Sequence, residues 1–363
     1  TTILDFSVLE SGQSLDESLN QRIKLAGESL CDVGIHVNIT RFEPEILVEI
    51  PKLIEQGFNS FKVFTTYAEA NMMLTYAQIE TVAGIIAQHD GVLMVHSEDN
   101  DVITRASEPY ADRSESHPRL HGLSRPAEAE LVAISHLGEI SSRTNCSIYI
   151  VHLNTAAGLA KAAEYPMLRV ETCPHYLLLS DKMYEREDGQ MFVSSPPLRT
   201  ESDSKALWQG IQHGQVHTIG SDHCPFCLAD KPQNTPFQDI PNGMGGVETL
   251  FPTLLAQFIE RGLDLGLLVR LTSGNAASIF RLDHLKGSIK LGLHADLLIV
   301  DPELPVQGWE KSLDTNLDWN AYVGLPALFP ETVIQRGVVV VSEGRVKYPS
   351  PGKILKSKST SQE

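Results

Sequence analysis

Positive charge is scarce in this 363-residue chain: 29 lysines and arginines stand against 46 aspartates and glutamates, a formal net charge of −17. That balance disfavours nucleic acid or an anionic membrane surface as the main partner. Long apolar runs are missing too. No stretch of eighteen apolar residues exists to cross a membrane, and no signal-peptide pattern follows Thr1, so a soluble, cytoplasmic chain is the expectation. Cysteine is sparse and odd in number: Cys31, Cys146, Cys173, Cys224 and Cys227. An odd set in a long chain argues against a disulfide framework. Cys224-Pro-Phe-Cys227 has redox spacing, but it follows Ser-Asp-His rather than opening a thioredoxin-like unit, and no second such pair completes a zinc site. Its thiols are expected to be reduced and inert. A small-molecule enzyme or a protein-binding scaffold remains, in a length that suits one barrel-sized domain with a smaller appendage.

What is present is alternation. "TTILDF" precedes a helical stretch with Leu19, Ile23 and Leu30; "VGIHVNI" leads into the amphipathic "EILVEIPKLIEQG"; "FKVFTTY" leads into "TYAQIETVAGIIAQH", where Thr75 and Gln78 fit a capping box. "VLMVHSE", "SIYIVHLN", "LRVETC" and "VHTIGSDH" continue the series. Several of these runs are apolar on both sides, as a parallel sheet covered by helices requires. Seven strands with crossover helices come nearest to an eight-stranded βα barrel lacking one strand. Because the chain opens inside a strand, the absent unit is expected before Thr1. Residues 97–125 and 225–246 are polar and too long for ordinary connections, so both are expected to cover a site at the strand ends. After about Leu285, Gly-punctuated β segments without helices suggest a small sandwich portion. The expected division is a barrel over 1–284, a β-sandwich portion over 285–348 and a flexible polar tail over 349–363.

Lys62, in "SFKVFTTY", stands in the middle of a strand that otherwise reads as buried. An unpaired buried ammonium costs several kcal/mol, so it must be neutralised, paired or used. Lys62, His96, His152 and Asp222 all fall near the ends of barrel strands, which converge on one mouth. Each alone has an ordinary reading: a hydrogen-bonded core histidine, a helix cap, a buried ion pair. Together they form the pattern of a metal centre. Carbon dioxide added to the lysine amine would give a carbamate, a hard anionic ligand able to bridge two divalent ions, although spacing alone cannot show this modification.

"SFKVFTTY", "LMVHSEDND", "HGLSRPAEAE", "YIVHLN", "VETCPHYLLL", "SSPPLR", "SDHCPF", "PNGMGGVE" and "GLHADLLIVDP" span nearly the whole chain, and with them it resembles the cyclic amidohydrolases of the dihydropyrimidinase and hydantoinase group. The resemblance implies two divalent metal ions, zinc by family habit, bridged by carbamylated Lys62. His96 and His152 would hold one ion and Asp222 the other. It further implies that Tyr67 donates to the oxyanion, that Ser195 and Asn242 contact the cyclic amide largely through backbone groups, and that Asp222 shuttles the proton. A small cyclic amide or ureide as substrate, and a homotetramer, follow from the same likeness. His223 and His175 receive no ligand role.

The chain departs from that pattern in one respect. Relatives carry His-x-His at the end of the first barrel strand, and none of the thirteen histidines here makes that motif. The missing strand and the missing motif agree, and a preceding segment bearing both is the expectation. Allantoinase and dihydroorotase are the enzymatic alternatives, though Tyr67 leans away from allantoinase. A non-catalytic dihydropyrimidinase-like scaffold is the rival from another class. Retention of Lys62, His96, His152, Asp222 and Tyr67 favours the enzyme.

Overall fold

Hydrophobic strands that leave no polar edge for water can persist only between layers, and this chain builds those layers in order. The computed structural model describes residues 1–111, 116–303, 309, 313–348 and 350–358. Seven parallel strands lie side by side in chain order: β1 (Thr2–Ser7), β2 (Asp32–Asn38), β3 (Ser60–Phe64), β4 (Val92–His96), β5 (Ser147–Ile150), β6 (Leu168–Thr172) and β7 (Thr218–Ile219). Every residue of β2 and β4 is buried. This sequential parallel order with a helical crossover after nearly every strand is that of a βα barrel. Among the described residues, β1 and β7 end the sheet and do not pair with each other.

Alternation along the strands separates two faces. Leu93 and Val95 of β4, with Ile148 and Ile150 of β5, join the large core under helices such as Tyr76–Gln88 and Ala127–Thr144. Val92, Met94, Tyr149 and Val151 look the other way and pack with Phe280, Leu282 and Leu355. Lys62 lies opposite Met94 in the β3–β4 register, on that second face. The capping box at Thr75 is present: Gln78 N–H donates to Thr75 Oγ1 at 3.3 Å, and Thr75 N–H to Gln78 Oε1 at 2.9 Å.

Four departures from the sequence reading follow from particular contacts or residues. The stretch "EILVEIPKLIEQG" forms two helices, Pro44–Leu47 and Glu49–Glu55, because Pro51 has no N–H for the carbonyl of Leu47 and its ring crowds that carbonyl. Residues 97–125, expected as a covering loop, contain the helices Asn100–Ser107 and Arg119–Ser124, the first capped by Asp99, which accepts from Val102 N–H at 3.0 Å. The last strand, read as Val216–Ser221, is Thr218–Ile219; His217 N–H and Gly220 N–H still donate to the Val170 and Thr172 carbonyls at 2.8 and 3.0 Å, and the chain turns away at Asp222, whose φ is 44°.

The fourth departure concerns the polar tail. Residues 353–357 run along β2, with Val33 N–H donating to the Lys353 carbonyl at 2.9 Å, Leu355 N–H to the Val33 carbonyl at 2.8 Å, and Ser357 N–H to the Gly57 carbonyl at 2.9 Å. Leu355 is buried in the second core. Residues 359–363 of the expected flexible tail lie outside the described residues. The smaller antiparallel sheet has the order β11-β10-β9-β8, with β8 (Leu297–Ile299), β9 (Thr332–Gln335), β10 (Val338–Ser342) and β11 (Arg345–Val346). It is fastened to the barrel through buried Asp32, which accepts from Lys286 Nζ at 2.7 Å and also pairs with Arg336.

Candidate active site

Lys62 sits in the middle of β3 and is 5 % exposed. Its Nζ lies 5.1 Å from the ring centre of Phe64 and 5.4 Å from that of Phe6, and among the described residues it has no hydrogen-bond or ion-pair partner. Burial pulls its pKa down to about 8, against the upward pull of Asp222 and Glu171. At pH 7 a group with that pKa keeps a neutral amine about one part in ten, and the neutral amine is the form that adds carbon dioxide.

His96 ends β4, His152 follows β5 by two residues, and their rings meet edge to face at 4.6 Å between centres. Burial pulls the His96 pKa down to about 4, although Glu98 opposes this; His152 falls further, through burial and then through His96 and Lys62. Both rings are therefore neutral near pH 7 and each offers a lone pair. His152 Nδ1 is buried without a hydrogen-bond partner among the described residues. Asp222 follows β7; burial raises its pKa and Lys62 lowers it. His152 (φ 42°), Asp222 (φ 44°) and Tyr67 (φ 68°) all hold left-handed backbone conformations. Such conformations cost about 1–3 kcal/mol each in non-glycine residues and persist only where the surroundings enforce them.

His, Cys, Asp and Glu side chains alone nowhere gather in threes able to hold a metal among the described residues. The cluster becomes a donor set only with Lys62 as a member. An unpaired buried amine, an orphaned imidazole nitrogen and a carboxylate disfavoured as an anion are together the residues a divalent cation and a carbamate would satisfy, and in that sense they fit one.

The histidine is aimed by a carboxylate. Glu98, fully buried, lies 2.8 Å from His96 Nε2 and 3.3 Å from Arg125 Nη2. Burial would raise its pKa, but Arg125 and the His96 hydrogen bond hold it down at about 2. An ionised carboxylate only accepts, so Nε2 carries the proton and Nδ1 keeps the lone pair for a metal. Glu98→Gln should therefore weaken divalent-metal affinity about 10- to 100-fold with the size of the side chain unchanged. Chelator competition measures this; an affinity within a factor of about two of the parent would remove Glu98 from the role.

Tyr67 stands at the same mouth, its ring 5.1 Å from that of His96 and the Arg125 guanidinium 5.1 Å from its ring centre. Burial raises its pKa while Arg125 lowers it, so it remains a hydroxyl donor at neutral pH. Ser195 lies beside it: Ser195 Oγ is 3.3 Å from His121 Nε2, which donates to the Ser194 carbonyl at 2.9 Å. The two prolines after Ser195 offer no N–H, and their carbonyls are met by Tyr176 Oη at 2.7 Å (Pro196) and Asn154 Nδ2 at 2.6 Å (Pro197). Asn242 is exposed, next to Gly243, whose φ of 148° and closeness to Cys224 leave no room for a Cβ. His223 turns toward the main chain and accepts from Gly246 N–H at 3.0 Å; His175 is buried edge to face on Tyr176. His175 nonetheless lies near enough to His152 to lower its pKa, and its Nε2 is buried without a hydrogen-bond partner among the described residues.

Three residues of the site escaped the sequence reading: Glu98, Arg125 and Glu171. Glu171, on β6, accepts from Tyr149 Oη at 2.8 Å and from His152 N–H at 3.2 Å, and so braces the left-handed turn at His152. Burial raises its pKa to about 7. The sign was there, a carboxylate inside "LRVETC", by the same logic that singled out Lys62.

Comparison with known proteins identifies the family. The model of the amidohydrolase family matches residues 6–340. The D-hydantoinase of Ralstonia pickettii is 31 % identical over 374 residues, covering all of this chain and 81 % of that protein. The D-phenylhydantoinase of Escherichia coli O1:K1 is 33 % identical over 308 residues, covering 82 % of this chain and 66 % of its own length. Among solved structures, the dihydropyrimidinase from Brevibacillus agri superposes with a TM-score of 0.94 at 27 % identity, over 99 % of this chain and 80 % of its own. A barrel sheet and a smaller antiparallel sheet, matched across almost their whole length, place this chain in the amidohydrolase family, among the cyclic amidohydrolases of the hydantoinase group.

Proposed function

We propose that this chain opens a six-membered dihydropyrimidine or a 5-substituted hydantoin to the corresponding N-carbamoyl amino acid. The observation that carries the reading is Lys62, buried without a hydrogen-bond or ion-pair partner among the described residues, beside His96, His152 and Asp222, with Tyr67 at the same mouth. Carbamylated Lys62, His96, His152 and Asp222 would hold divalent ions, zinc by the nitrogen and oxygen character of the set. Such ions, when bound, acidify water and polarise a carbonyl. The chain's own residues do the rest. Asp222, its carboxylate disfavoured as an anion by burial, accepts the proton from the attacking water and returns it to the ring nitrogen as the carbon–nitrogen bond breaks. Tyr67 donates its hydroxyl hydrogen to the oxygen that gains charge. Ser195 and Asn242 present their segments to the ring. Residues 1–284 form the catalytic barrel and 285–348 the smaller portion of a cytoplasmic homotetramer in this reading.

The test is turnover of dihydrouracil, 5-substituted hydantoins, allantoin and dihydroorotate by the zinc-supplied protein. The first two classes should be preferred. Allantoin or dihydroorotate favoured by about a hundredfold, roughly 2.7 kcal/mol in transition-state stabilisation, would assign the wrong substrate branch.

A further inference from the structure

Lys231 is among the most deeply buried charged residues described, 1 % exposed, and no step above uses it. No carboxylate meets it among the described residues. Its Nζ donates instead to three main-chain carbonyls: Gly243 at 2.7 Å, Val193 at 2.9 Å and Met191 at 3.4 Å. The Phe226 ring centre lies 5.2 Å away. The carbonyls come from two separate stretches of chain. Val193 stands two residues before Ser195, and Gly243 directly follows Asn242. The same stretches also touch each other, Gly243 N–H donating to the Val193 carbonyl at 3.0 Å.

Three carbonyl oxygens converging in a buried space repel one another unless a donor stands between them, and a lysine ammonium has three donors and no acceptor. Burial lowers the Lys231 pKa to about 7, while the three oxygens favour its charged form. A hydrophobic residue of the same length would fill the space but remove all three of these bonds, leaving Val193 only its bond from Gly243 N–H. The ammonium thus sets the spacing of two segments whose backbone groups face the substrate in the reading above.

We propose that Lys231 is a positioning residue for substrate binding, an internal clamp that holds the Ser195 segment and the Asn242 segment at the separation the cyclic amide requires. This rests on the proposed cyclic-amide hydrolysis. It predicts a separable effect, because Lys231 touches neither Lys62, His96, His152 nor Asp222. Lys231→Met in the zinc-loaded protein should raise KM for dihydrouracil or a hydantoin about tenfold or more, with kcat changed less than about threefold. Metal content and the visible spectrum of the cobalt(II)-substituted protein should match the parent. Lys231→Gln, which keeps two donors, should fall between parent and Lys231→Met, and carries the same comparison should the methionine variant not fold. A parental KM in a folded variant, or a loss confined to kcat and metal content, would overturn the clamp. A parent protein with no turnover of any cyclic amide would instead remove the functional reading, and the clamp with it.

Discussion

Lys62→Ala is expected to lose bound divalent metal and, with it, cyclic-amide hydrolysis by a factor on the order of 10⁴, since the acidification of water that a metal supplies would be gone. The structure gives the reason a free ammonium is a poor resting state there. Lys62 is buried, faces two aromatic rings and lacks a counter-ion within bonding distance among the described residues. Carbamylation reverses the sign of the group and gives two oxygens where one nitrogen stood. Two readouts besides activity check this: metal content by elemental analysis, and native mass, in which each chain of the metal-loaded parent should carry one carbon dioxide in addition to its bound metal, and the variant neither. A short carboxylic acid diffusing into the space left by the side chain should partly restore both metal and turnover. Density ending at the amine nitrogen in a zinc-loaded crystal would refute the carbamate.

Asp222→Asn should be nearly as damaging by another route, lowering kcat about a thousandfold while the protein stays folded. An amide has almost the same shape as the acid, so the left-handed turn at residue 222 and its surroundings can persist. What disappears is the ability to take a proton at one moment and give it back at another, together with one anionic metal ligand, so metal content is measured alongside kcat. Burial raises the Asp222 pKa while Lys62 lowers it, and a raised pKa makes a carboxylate a better proton acceptor than an ordinary surface one. Parallel circular dichroism and thermal melts separate this from misfolding. A folded Asp222→Asn protein with more than about a tenth of the parent kcat would show that the proton travels through another group.

How far the site could be read in advance depended on whether each residue's surroundings were local. Lys62 was legible because its burial follows from its immediate neighbours, Phe61, Val63 and Phe64. Barrel topology, once inferred from strand alternation, brought His96, His152 and Asp222 to the same end, where the structure also has them. Glu98 and Arg125 were not legible, because a glutamate and an arginine in polar connecting stretches look solvated; only the packing of segments 27 residues apart buries them against each other. Lys231 is the extreme case. Its three acceptors are main-chain atoms, so no side-chain pattern announces them. The break before Pro51 could have been read from proline chemistry alone.

The pairing of residues 353–357 with β2 also bears on the order of assembly. Lys353 N–H donates to Asp32 Oδ1 at 2.9 Å across a separation of 321 positions, and Leu355 completes the bonding of Val33. As the chain leaves the ribosome, β2 and its buried Asp32 must wait for Lys286, Arg336 and Lys353 while every residue of the candidate active site has already emerged. Contacts of such separation are slow to form, because the entropy of closing the loop precedes any reward. The end of the sheet opposite the chemistry is thus sealed only once residues 353–357 are available, after the residues of the candidate site have emerged.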